Sequence, residues 1–124
     1  MLKFRSPRLA LLLVLFVFSC GKDLPTLQGI DTETWKSDRN GCEGKRFQMT
    51  NAMRVEKDKL LALDEKEVIA VLGRPDRNEL YKRNQKFYYY FLQPAPECKL
   101  GNEKPLRLVL RFNAMGLAKE VVVE

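Results

Sequence analysis

None of the 124 residues is a histidine. That absence removes the side chain that most often serves as a general base near neutral pH, and with it the commonest nitrogen ligand for metals. Serine is scarce: past Ser19 the only one is Ser37. The glycines never cluster into a loop that could cradle phosphate. The longest apolar run, Leu9 to Phe18, has ten residues, half of the roughly 20 that a membrane-spanning helix needs. Basic residues are spread along the chain rather than gathered in a stripe, which argues against nucleic acid as a partner. Carboxylates are plentiful, but Asp64, Glu65 and Glu67, and Glu56 with Asp58, fall near expected helix ends, where solvated charge supports the helix. The chain therefore predicts no enzyme, no metal and no cofactor.

What is present starts at the N-terminus. Lys3, Arg5 and Arg8 precede the short apolar run, and the small-residue junction Ser19-Cys20-Gly21 follows it, the pattern of a secretory signal. Val17-Phe18-Ser19-Cys20 resembles a bacterial lipobox. The resemblance implies that Cys20 is acylated and becomes the first residue of the mature chain. Gly21, rather than Asp, follows the cysteine, which leans toward the outer membrane, on its periplasmic face or at the cell surface. Two or more acyl chains anchor a protein stably, so the folded part needs no membrane-binding surface of its own. Removing residues 1–19 leaves 105 residues, enough for one small domain, and lowers the net charge from +6 to +3.

With Cys20 assigned to lipid, Cys42 and Cys98 remain. In an oxidising compartment such a pair most simply forms a disulfide. The spacing is not that of a C-x-x-C redox motif, and a zinc site lacks two further ligands.

Residues 20–41 read as the lipidated cysteine and a tether, polar and without sustained periodicity, with Pro25, Gly29, Asn40 and Gly41. Trp35 within it either folds back on the domain core or serves as a partner contact. Residues 42–124 read as the folded domain. A helix is predicted over 43–61, with Met49, Ala52, Met53 and Leu60 as its apolar stripe and Glu56 interrupting it. Asp64 with Glu67 forms a capping-box pattern for a short second helix, ended by Gly73 and Pro75. The period then changes to two. Glu79 to Lys82 is a short strand, Phe87 to Leu92 an aromatic one, Leu106 to Phe112 a third and Leu117 to Val123 the last, with a hairpin turn at Asn113-Ala114-Met115-Gly116. Helices followed by strands predict an α+β domain, two helices on one face of a three- to four-stranded antiparallel sheet.

The alternation Leu106, Leu108, Leu110, Phe112 against Arg107, Val109, Arg111 puts Arg107 and Arg111 on the face away from the helices. Which aromatics join them depends on register. Tyr88 and Tyr90 are preferred over Phe87, Tyr89 and Phe91, because a hydroxyl tolerates water. Tyrosine with arginine is a composition enriched at interfaces, so Tyr88, Tyr90, Arg107, Arg111 and Trp35 are the candidate partner-binding residues.

The ordered set of motifs, Leu72-Gly73-Arg74-Pro75, the tyrosine-rich strand and Arg111-Phe112-Asn113-Ala114-Met115-Gly116, resembles the SmpA/OmlA (BamE-like) small outer-membrane lipoproteins over residues 60–124. That resemblance implies an αα-βββ domain, also similar to one repeat of the β-lactamase-inhibitor proteins. The segment Asp31–Arg46 and the Cys42–Cys98 pair lie outside the family pattern. The implied function is a non-catalytic module that binds an envelope protein and supports outer-membrane protein assembly. The alternative is a lipid-tethered inhibitor-like or ligand-binding module.

Overall fold

A computed structural model describes residues 23–124. Cys20, and with it the acylation expected there, lies outside the described residues. An antiparallel meander of four strands forms one side of the domain: β1 (Arg77–Tyr81), β2 (Gln85–Phe91), β3 (Arg107–Phe112) and β4 (Ala118–Val123), in the spatial order of the chain. The two short hairpins carry the backbone their turns require. Arg83 and Asn84 both have positive φ between β1 and β2. Between β3 and β4 the Asn113 side-chain oxygen accepts from the amides of Met115 and Leu117, both at 3.0 Å. Gly116 there has φ 80°, a conformation glycine adopts without a Cβ penalty.

Four helices pack on one face of this sheet: α1 (Thr32–Ser37), α2 (Lys45–Gln48), α3 (Thr50–Glu56) and α4 (Glu65–Leu72). The class is α+β, with the helices ahead of the strands. α4 forms as the sequence predicts. The Asp64 carboxylate accepts from the Glu67 amide at 2.8 Å, and the Glu67 carboxylate accepts from the Asp64 amide at 3.1 Å. Val68, Val71 and Leu72 turn into the core, and Gly73 ends the helix at φ 79°. The core lies between the two layers: Met53, Leu60, Val68 and Leu72 from the helical side meet Tyr90, Leu108, Leu110 and Phe112 from the sheet.

The helix expected over 43–61 is broken into pieces. Met49 leaves the helical region at φ −96°, ψ 7°, and its amide bonds back to Arg46 at 3.0 Å, a tightened turn. The Thr50 hydroxyl donates to the Phe47 carbonyl at 2.7 Å, the local competition that makes threonine a poor interior helix residue. After α3 the chain tightens into a 3₁₀ turn, Lys57–Leu60. The apolar stripe survives these breaks. Met49, Met53 and Leu60 are buried, and Ala52 packs against the core.

Residues 24–41, expected as a tether, are part of the folded body. Leu27, Ile30 and Trp35 belong to the core cluster, and Trp35 has no exposed surface. Asp31 caps α1, its carboxylate accepting from the Thr34 hydroxyl at 2.8 Å and the Thr34 amide at 3.4 Å. The Trp35 indole reaches Tyr90, with ring centroids 6.1 Å apart. A buried aromatic of this kind removes about 150–250 Å² from water, and with Leu27 and Ile30 it ties a polar segment without periodicity of its own to the core.

Cys42 and Cys98 form the disulfide, with Cα atoms 5.4 Å apart. The same seam carries the Ala95 amide donating to the Asn40 carbonyl at 2.9 Å. Gly41 is required there: it has φ 65°, and a Cβ would fall 2.8 Å from the Phe91 carbonyl oxygen.

Candidate functional site: the uncovered face of the sheet

Strand pairing decides which side chains face away from the helices. Phe87 pairs with Arg111, Tyr89 with Val109 and Phe91 with Arg107, while Arg77 pairs with Tyr89 and Glu79 with Phe87. On β4, Glu120 pairs with Arg111 and Val122 with Val109. Directly paired residues share a face. The outer face therefore carries an aromatic row, Tyr81, Phe87, Tyr89 and Phe91, bordered by Arg77, Arg107 and Arg111.

The row is ordered. Tyr81 meets Phe87 edge-on at 5.4 Å, and Phe87 stacks on Tyr89 at 6.1 Å with the planes 9° apart. Two guanidinium groups lie over rings, Arg107 over Tyr89 at 4.3 Å and Arg77 over Phe91 at 4.9 Å. Each such contact contributes about 0.5–1 kcal/mol at a surface. Tyr89 and Phe91, with Arg107 and Arg77 over their rings, are buried, as is Val109. Arg111 donates to the Gln85 side-chain oxygen at 3.0 Å, and the Tyr89 hydroxyl donates to Glu79 at 3.3 Å. Burial, then the Glu79 carboxylate, pushes the Tyr89 hydroxyl above its ordinary pKa. Where this face meets the loop after β2, a groove of about 410 Å³ opens between Arg77, Phe91, Pro96, Lys104 and Arg107. Arg77 is paired with Glu97 on that loop.

Arg107 and Arg111 stand on the outer face, as expected. Tyr88 and Tyr90 do not. Tyr88 pairs with Leu110 and Tyr90 with Leu108, so both face the helices, buried at 6% and 0% exposure. Their hydroxyls are satisfied inside. Tyr88 donates to Glu65 and Tyr90 to the Gly73 carbonyl, at 2.8 and 2.7 Å. That is why water tolerance was the wrong criterion: a buried tyrosine needs a single acceptor, and the ends of α4 provide one for each. Trp35, the remaining candidate, is buried in the core between helices and sheet, out of a partner's reach.

No local pattern of residues signals the ion pair beneath this sheet. Arg46 and Asp76, both side chains fully buried, meet at 2.6 Å. Asp76 also accepts from the amides of Phe91 and Asn40, at 2.8 and 3.1 Å. Arg46 donates through Nε to the Trp35 carbonyl at 2.8 Å, and its guanidinium lies 5.0 Å from the Trp35 ring centroid. Asp38, also buried, accepts from the amides of Glu43 and Arg46, at 2.8 and 3.0 Å. These charges are spent on tying α1, α2 and the end of β2 together, not on an accessible site. Among the described residues no group of three or more Cys, Asp or Glu is placed to hold a metal ion.

No family model, curated protein or solved structure matches this chain. What defines it is its architecture: a small disulfide-pinned α+β domain with one sheet face under helices and the other presenting arginine and aromatic side chains.

Proposed function

We propose that this protein is an envelope lipoprotein, anchored through Cys20 in the outer membrane, that acts as a non-catalytic protein-binding or assembly module. The observation that carries the reading is the outer sheet face: an ordered aromatic row edged by Arg77, Arg107 and Arg111, on the side of the sheet away from the described helices. Arginine and tyrosine dominate interface hot spots because they combine area, rigidity and directional bonding. The lipobox-like N-terminus and the αα-βββ resemblance support an envelope partner and a role in outer-membrane protein assembly. The groove beside Phe91 favours a second reading, a lipid-tethered inhibitor-like or ligand-binding module.

The test is capture of partners from chemically crosslinked envelopes by the full-length protein and by Phe87→Ala with Arg111→Ala. Loss of a stoichiometric envelope protein from the variant, with circular dichroism unchanged, is the expected result. Undiminished capture by a folded variant removes the sheet face from consideration. Release of a bound small molecule from the native protein, seen by mass spectrometry, favours the second reading instead.

A further inference from the structure

The first described residues are held against the helical layer. Thr26 accepts from Lys59 at 3.4 Å, and the Gln28 amide donates to Glu56 at 2.5 Å. A Cβ at Gly29 would lie 3.0 Å from that of Ala52. Leu24 and Pro25 line a cleft with Ala70 and Val71 of α4. All these partners belong to α3, α4 and the 3₁₀ turn between them. The chain therefore enters the domain from the helical side, opposite the uncovered sheet face.

Three Cα steps separate Cys20 from Asp23, at most about 11 Å of chain. A helix with its side chains is about 10 Å across, and the sheet lies beyond it. A lipid on Cys20 thus reaches the bilayer from the helical side, and its chain is too short to let the domain roll over. Resting on the reading of Cys20 as acylated, we infer that the helical layer lies against the bilayer, with Val55 of α3 toward it, and that the arginine–aromatic face is turned away. Val55 supports this placement: it points outward from α3 with 79% of its surface exposed. The anchoring bilayer is thereby excluded as the occupant of the sheet face. The partner has to be a protein surface that stands off the membrane in the aqueous compartment.

The experiment uses the acylated full-length protein in phospholipid vesicles, with a fluorophore on Val55→Cys or on Glu120→Cys and a quencher on the lipid headgroups. Glu120 is exposed on the outer sheet face, paired with Arg111. The expected result is quenching several-fold stronger at position 55 than at position 120. Inserting a long Gly/Ser linker between Lys22 and Asp23 should abolish that difference. Equal or reversed quenching in protein whose mass confirms acylation overturns the orientation while leaving the lipoprotein reading intact. A mass without acyl chains, with no vesicle binding, overturns both.

Discussion

Replacing Asp76 by asparagine should be among the most damaging near-isosteric changes in this domain. The substitution keeps the side-chain shape and one carbonyl acceptor but removes the charge facing Arg46, whose side chain is fully buried and 2.6 Å away. Arg39, 3.7 Å from the other carboxylate oxygen, is half exposed and can turn to water; Arg46 cannot. Leaving one buried charge without its partner costs about 3–5 kcal/mol, against a total stability of about 5–15 kcal/mol for a domain of this size. The reverse change, Arg46→Met, should cost less than Asp76→Asn, because the carboxylate it leaves keeps other donors. Asp76 retains the Phe91 and Asn40 amides, and methionine can fill the space beside the Trp35 and Tyr90 rings. The double variant should then be about as stable as Arg46→Met alone, a coupling about equal to the whole Asp76→Asn cost. Urea unfolding followed by far-UV circular dichroism and by Trp35 fluorescence measures all three. Trp35 is the chain's single tryptophan, and it lies against Arg46, so its emission reports on this site. An Asp76→Asn cost below about 1 kcal/mol, or double-variant losses that simply add, would refute the claim that the two charges depend on each other.

Breaking the Cys42–Cys98 bridge, which spans 56 residues of sequence, should destabilise the domain by about 4 kcal/mol on chain entropy alone. Thermal unfolding of the Cys42→Ala, Cys98→Ala protein checks this, and thiol labelling of untreated native protein should find neither cysteine free. Alkaline pH should destabilise the domain. Burial raises the hydroxyls of Tyr88, Tyr89 and Tyr90 above the ordinary value of 10.0, with Glu65 adding to the effect at Tyr88. Protons held more tightly by the folded chain make stability full below that pH and lost as pH rises above it. Tyrosinate absorbance amounting to more than one of the four tyrosines, developing near the ordinary value while circular dichroism stays native, would contradict this.

Much of the local structure was legible from the residues because its causes are local. The Asp64–Glu67 box, Gly73 and Pro75 bound α4 within eight residues. The Leu and Arg alternation of β3 and the Asn113–Gly116 turn predicted the last hairpin. Counting cysteines sufficed for the disulfide. The break at Met49 was less legible, since its cause is a threonine bond to a carbonyl three residues back, and Thr50 sits in a stretch of otherwise good helix formers.

What the chain alone determined, then, is its class, the order of α4 and the four strands, and the two opposed side-chain sets of each strand, all of which follow from periods of two and 3.6 and from backbone limits at glycine and proline. It did not determine which aromatic set of β2 lies under the helices. Both sets are apolar enough to be buried, so alternation breaks no tie. Only pairing with β3, which sets Tyr88 opposite Leu110 and Phe87 opposite Arg111, does so. Nor could it place Trp35, or bring Arg46 to Asp76 across 30 residues. Composition argues for keeping such charges in water. Burial becomes favourable only when the tertiary structure brings together the opposite charge, the Phe91 and Asn40 amides and the Trp35 carbonyl that replace it.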